Sequence, residues 1–211
     1  MKELAALWLG LTLSAAAHAG AQLEEPLADK VRGALTAAVA DTAPPRPSFD
    51  SIDDRLAYLR WLGATSEKLK KRKSEHAVRV EFLEAVWYES KRAGLEPALV
   101  LGLIQVESGF RKYAISRAGA RGYMQVMPFW ARTIGNGDAA GLFHMQTNLR
   151  FGCVILRHYL DLEKGDLFLA LGRYNGSRGR AEYPTAVFAN RRLWLGGEPA
   201  LAASRATPSG G

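Results

Sequence analysis

A chain of 211 residues accommodates one medium domain with appendages and excludes two full domains. Its 48% hydrophobic and 23% charged residues can bury a sizeable core, and its one cysteine excludes a disulfide-stapled scaffold. The surplus of 28 Lys and Arg over 21 Asp and Glu favours polyanionic surroundings, whether nucleic acid, anionic lipid or an acidic wall polymer, without choosing among them.

Residues 1–19 read as a secretory signal. Lys2 gives a short basic start, Leu4 to Leu13 form an apolar run interrupted by Gly10 and Thr12, and Ala17-His18-Ala19 supplies a small-x-small cleavage site. The apolar run is shorter than the roughly 20 residues a membrane span needs. Removing residues 1–19 deletes one Lys and one Glu and leaves the charge at +7. Residues 20–48, rich in Ala and ending in Pro44-Pro45-Arg46-Pro47, read as a spacer.

Ser51 with Asp54 resembles a capping box, and Ile52, Leu56 and Leu59 recur at helical spacing, so a short helix is expected to about Leu62, ended by Gly63. Lys68 to Lys73 holds four Lys and one Arg, the pattern of a solvated helix face or of an electrostatic tether to an anionic polymer or membrane surface. From His76, the apolar stripe Val78, Phe82, Leu83, Val86 and Trp87 predicts a helix closed by Gly94. Pro97 opens another, apolar almost all round through Val106 and therefore buried. Further helices are expected near 129–134, 147–163, 166–174 and 184–194, with Cys153 as a small core residue and a loose tail over 196–211. No alternating pattern predicts a sheet.

The anomaly lies at the end of the buried helix, Gln105-Val106-Glu107-Ser108-Gly109. Burial and the negative end of the helix dipole both disfavour an ionised carboxylate there, leaving an acid able to protonate a glycosidic oxygen. An ion pair with Arg111 or Arg121 would explain the same residue structurally. Most glycoside hydrolases need two carboxylates, yet between Ser108 and Tyr159 the only other acid is Asp138, in the glycine-rich Gly135-Asn136-Gly137-Asp138. Asp161, Glu163 and Asp166 have the spacing of solvent-facing positions. A lone acid suits a reaction in which the substrate supplies its own nucleophile.

Glu107-Ser108, then Gly122-Tyr123-Met124-Gln125-Val126-Met127-Pro128, then Asn148 with Gly152, then Tyr174-Asn175-Gly176 resemble, in order, the motifs of the soluble lytic transglycosylase family. The resemblance covers about residues 76–195. It implies a mainly α, lysozyme-like transglycosylase domain; residues 20–75, an N-terminal extension with the Pro-rich linker and a helix, fall outside it. It also implies cleavage of the bond between N-acetylmuramic acid and N-acetylglucosamine, with Glu107 acting first as acid and then as base on the muramoyl 6-hydroxyl to leave a 1,6-anhydro end. By the same resemblance Ser108, Ser116, Gln125, Met127, Tyr174 and Asn175 contact substrate, Tyr174 approaching the acid and Ser116 the N-acetyl group. Met124 and Pro128 set the fold, and Asn148 caps its helix.

Tyr123 and Gly176 stand where the family usually has Leu and Ala, and His144-Met145 where Asp-Pro is common. Beyond Tyr174 the pattern loosens, leaving Glu182 and Tyr183 as candidates. The implied partner is the glycan strand of peptidoglycan, met in the periplasm or otherwise outside the cytoplasm after cleavage near Ala19. No cofactor, metal or nucleic acid is implied, and membrane contact would be peripheral. A hydrolytic muramidase, with Asp138 or another acid placing a water, and a non-catalytic wall-binding module remain the alternative readings.

Overall fold

The computed structural model describes residues 22–40 and 49–195. The signal segment, the Pro44–Pro47 stretch and the tail from 196 lie outside the described residues. Those described form eight α-helices and one short 3-10 helix, with two isolated β-bridges and no named strand. The helices are α1 Asp29–Ala40, α2 Ile52–Leu69, α3 His76–Arg92, α4 Pro97–Glu107, α5 Pro128–Ile134, α6 Met145–Leu162, α7 Leu167–Asn175 and α8 Glu182–Trp194. The chain is mainly α, as its periodicity predicts.

Helix α4 is the centre of the domain. Every residue from Pro97 to Ile104 is buried, with Pro97 in the first turn, where its missing N–H costs nothing. Helix α8 can lie directly on it because position 102 is glycine: a Cβ there would sit 2.6 Å from the Arg191 backbone nitrogen. Arg191 also pairs with Glu96 at the opposite end of α4. Fully buried Phe82, Leu83, Val86, Leu101, Leu103, Ile104, Leu149 and Leu171 join the helices into one core, each contributing about 1.5–3 kcal/mol of transfer free energy.

Two sequence expectations are corrected near the N-terminus. Helix α2 does not stop at Gly63 but runs to Leu69, because Trp61, Thr65, Ser66 and Leu69 continue a buried face past an exposed glycine. Its start follows the sequence, with Ser51 Oγ accepting from Asp54 N at 3.1 Å. Within the expected spacer, residues 29–40 form α1, which lies on α5 and α6 without fully burying any residue.

The basic run is mostly exposed, as a solvated face would be, with Lys68, Lys70, Lys71 and Arg72 exposed and Lys73 half-buried, but three of its cations also contact the fold. Lys68 Nζ donates to the carbonyls of Leu193 and Leu195 at the end of α8. Lys73 Nζ donates to Tyr123 Oη at 2.7 Å and sits over the rings of Phe82 and Tyr123. Arg72 covers Phe110. In α3 the stripe is shifted: Val78 is exposed and Arg79 buried, its guanidinium donating to the carbonyls of Lys73 and Ser74 and to Ser66 Oγ.

Candidate active site

Glu107 is the last residue of α4 and the anomaly its sequence suggested: a carboxyl 5% exposed at the end of an apolar helix. Gly109 (φ 57°) and Phe110 (φ 68°) are both left-handed and turn the chain away at once. Phe110 then packs edge-on against Phe82 and Trp194, which anchors the turn.

Neither arginine expected as a partner pairs with Glu107: Arg111 Nε donates to the Ser108 carbonyl and Arg121 to that of Ala139. The partner is a phenol. Tyr183 Oη, in the first turn of α8, donates to Glu107 Oε1 at 2.5 Å, and both groups are buried. Glu107 Oε2 has no hydrogen-bond partner among the described residues. Burial pushes the Glu107 carboxyl up to about 8, the Tyr183 hydrogen bond opposing the rise. The acid therefore holds its proton through neutral pH. Burial, reinforced by the charge of Glu107, also raises the Tyr174 and Tyr183 phenols well above their usual range, so both stay protonated.

The 121–127 loop packs beside the acid through named contacts. Ser108 Oγ turns inward to the carbonyls of Tyr123 (2.7 Å) and Ile104 (3.2 Å), tying the acid-bearing turn to the loop. Gln125 is left-handed (φ 49°), uncommon for a residue with a side chain; its Nε2 secures the turn by donating to the carbonyls of Gly122 and Ala114. Ser116 Oγ accepts from Ala120 N at 3.1 Å, closing the preceding turn. Tyr174 Oη donates to the Met124 carbonyl at 2.8 Å, and the side chain feels the charge of Glu107. Met127 is the half-buried residue before α5. Asn175 Nδ2 donates to Ser177 Oγ while its Oδ1 is buried without a partner.

Asn148 does not cap α6, which begins at Met145; it sits a turn inside. Its amide accepts from Met124 N and donates to the carbonyls of Arg121 and Leu142, bracing the loop from behind. The other acids are occupied elsewhere. Asp138 is exposed and accepts from Ala140 N, Asp161 pairs with Arg157, and Asp166 caps α7. Glu163, expected to face solvent, is clamped by Arg173 and Arg178. No second carboxylate perturbs Glu107, and no group of three His, Cys, Asp or Glu forms a metal site among the described residues.

The sequence signals Tyr183 only weakly, as an aromatic just before an expected helix, within a loose motif. It gives no sign of Gln22, whose side chain is buried against Met127, because that burial depends on where the N-terminal segment folds back.

Residues 84–188 match the family model of the transglycosylase SLT domain. The transglycosylase of Enterobacteria phage PRD1 is 32% identical over 124 residues, covering 56% of this chain and 45% of that protein. Membrane-bound lytic murein transglycosylase C of Actinobacillus pleuropneumoniae is 40% identical over 84 residues, 36% of this chain and 23% of that one. The chain thus spans less than half the length of these curated relatives. Among solved structures, an inactive mutant of lytic transglycosylase Slt from Pseudomonas aeruginosa aligns with a TM-score of 0.48 and 21% identity, over 67% of this chain and 29% of that one. Through its SLT domain, which contains Glu107, Gln125, Tyr174 and Tyr183, the chain belongs to the lytic transglycosylase family.

Proposed function

We propose that this chain cleaves peptidoglycan glycan strands as a lytic transglycosylase, cutting between N-acetylmuramic acid and N-acetylglucosamine and leaving a 1,6-anhydromuramoyl end. The observation that carries this reading is the isolation of Glu107: one buried carboxyl, pushed up to about 8, with a phenol on one oxygen and no second acid among the described residues perturbing it.

In the first step the Glu107 proton passes to the glycosidic oxygen, the bond from that oxygen to the muramoyl anomeric carbon breaks, and the N-acetylglucosamine side leaves with a free 4-hydroxyl. Oε2 is the oxygen suited to this transfer, since Oε1 already accepts from Tyr183. The electron-poor anomeric carbon is met by the carbonyl oxygen of the sugar's own acetamido group. Glu107, now a carboxylate stabilised by Tyr183, then takes the proton of the 6-hydroxyl as that oxygen bonds to the anomeric carbon. The acetamido oxygen is released and the starting protonation state returns, with no water consumed.

Ser116, Gln125, Met127, Tyr174 and Asn175 are proposed to line the glycan groove, with Ser108 fixing the acid-bearing turn behind it. Export through the segment ending near Ala19 would bring the enzyme to its polymer in the periplasm. No described helix is long and apolar enough to cross a membrane.

Mass spectrometry of digested sacculi tests the reaction. Anhydromuropeptides made by the wild type and absent with Glu107→Gln are expected. Reducing muramoyl ends would instead establish hydrolysis, and intact sacculi a non-cutting binder.

A further inference from the structure

Residues 22–28 form no helix or strand and contact the catalytic module, and their first residue is buried. Gln22 is 4% exposed. Its Oε1 accepts from Met127 N at a long 3.5 Å, and its amide lies against the Tyr174 hydroxyl, although Nε2 reaches hydrogen-bonding geometry with no acceptor. Glu25 pairs with Arg173 of α7 at 3.1 Å, and Leu27 packs on the core. We propose that residues 22–28 are an autoinhibitory strap, in which the Gln22 carboxamide occupies the place of a substrate acetamido group between Met127 N–H and Tyr174 and must leave before glycan can bind. The inference rests on the function proposed above.

The chemistry of the two amides supports the exchange. A carboxamide and an acetamido group each present one carbonyl acceptor and an N–H donor on a flat unit of similar size. N-acetylated sugars carry one such group per ring, so a side-chain amide can serve as an internal substitute. Gln22 fills the place imperfectly, with one long hydrogen bond and a buried nitrogen left unpaired, and an unpaired buried donor is costly. A ligand that satisfies both groups would displace it.

The anchor behind the strap is weak as well. Helix α1 has no fully buried residue. Clefts of about 730 and 500 Å³ flank it, the first lined by Leu35, Ala93 and His158 and the second by Val39, Ile134 and Phe151. A segment with so little buried apolar surface opens at low cost. In this arrangement Glu107 is buried and its Oε2 has no hydrogen-bond partner among the described residues. Binding then requires the open form, and the apparent affinity falls by the fraction of molecules that are open.

The test compares the full chain with Gln22→Ala and Glu25→Ala, using calorimetric binding of tetra-N-acetylchitotetraose and kinetics on sacculi. Each substitution is expected to tighten tetramer binding and lower KM by about three- to tenfold with kcat little changed. The tetramer should also speed amide hydrogen exchange across residues 22–28 of the wild type. Unchanged or weaker binding in both variants, or slower exchange of the segment with ligand, would overturn the strap and make Gln22 a structural or substrate contact. A chain that cuts no sacculi would overturn the proposed function, while the calorimetric comparison would still decide the strap.

Discussion

Tyr183 Oη and Glu107 Oε1 lie 2.5 Å apart, joining the first turn of α8 to the last turn of α4 across 76 positions of sequence. The contact leaves one carboxyl oxygen engaged and the other unpartnered. It also limits how far burial raises the acid, because a donor to the carboxylate favours the charged form. Removing the hydroxyl should therefore move the acid further from its ordinary value. For Tyr183→Phe the basic limb of the kcat/KM profile, expected near pH 8 in the wild type, shifts to higher pH. At pH 7 kcat drops about tenfold or more, since the carboxylate of the proposed second step loses its stabilising donor. A limb that stays in place or moves to lower pH would contradict this role.

Glu107→Gln separates chemistry from stability. Activity on sacculi should fall by at least about a thousandfold, because in the proposed reaction one group serves both proton transfers. Stability should move the other way at alkaline pH. The unfolded chain ionises Glu107 near its ordinary 4.5 and the folded chain near 8, so between these values the folded state holds one more proton. Wild-type stability therefore declines as pH rises through that window and levels off above it, by at most about 5 kcal/mol at about 1.36 kcal/mol per pH unit. The Gln variant lacks this slope. Urea unfolding should find it no more stable than wild type at pH 4 and more stable at pH 8; parallel pH dependences would show that the carboxyl is not buried as a neutral acid.

The helical class was legible because α6 and α7 carry strong apolar periodicity, α4 is apolar almost throughout, and α3 and α7 are followed by the left-handed glycines Gly94 and Gly176. Glu107 was legible for a related reason: a carboxylate at the end of a wholly apolar helix is costly unless it has a purpose. What surrounds it was less legible. The inward turn of Ser108, the Asn148 brace and the Tyr183 contact depend on how α6 and α8 cross α4. That crossing is set by single small residues such as Gly102, whose importance shows only when the neighbouring backbone is in place. The Lys68 to Lys73 run shows the converse limit: its exposure was legible, and its contacts were not. A charge pattern does not reveal that one lysine will reach the end of a helix more than a hundred residues away.

That run gives a graded prediction. Lys73→Met removes the donor to Tyr123 Oη and a cation over two rings, and should cost about 1–3 kcal/mol. Lys68→Met loses two hydrogen bonds to the last carbonyls of α8 and should cost about 1 kcal/mol. Lys71→Met, at an exposed position, should be neutral within about 0.5 kcal/mol. Urea midpoints rank the three. Equal effects would show that the contacts add nothing to a solvated face, and a loss of sacculus binding confined to Lys71→Met would favour the tether.

Two glycine-to-alanine substitutions should act with opposite signs. Gly63 lies exposed inside α2, where an added methyl group would meet nothing within 4 Å. Gly63→Ala therefore lowers the backbone entropy of the unfolded chain and should stabilise by about 0.5–1 kcal/mol. Gly152, on α6, faces Met124, and an added Cβ would lie 2.4 Å from its Sδ and 2.7 Å from its Cβ. Met124 cannot retreat freely, because its N–H is held by Asn148 and its carbonyl by Tyr174. Gly152→Ala should therefore destabilise by about 1–3 kcal/mol. It should also lower kcat/KM at temperatures where the protein remains folded, because displacement of Met124 is passed to Gln125 and Met127 in the same loop. Thermal unfolding and sacculus kinetics measured together distinguish the cases. A Gly152→Ala protein with wild-type kinetics below its melting temperature would show that α6 does not set the position of the groove loop.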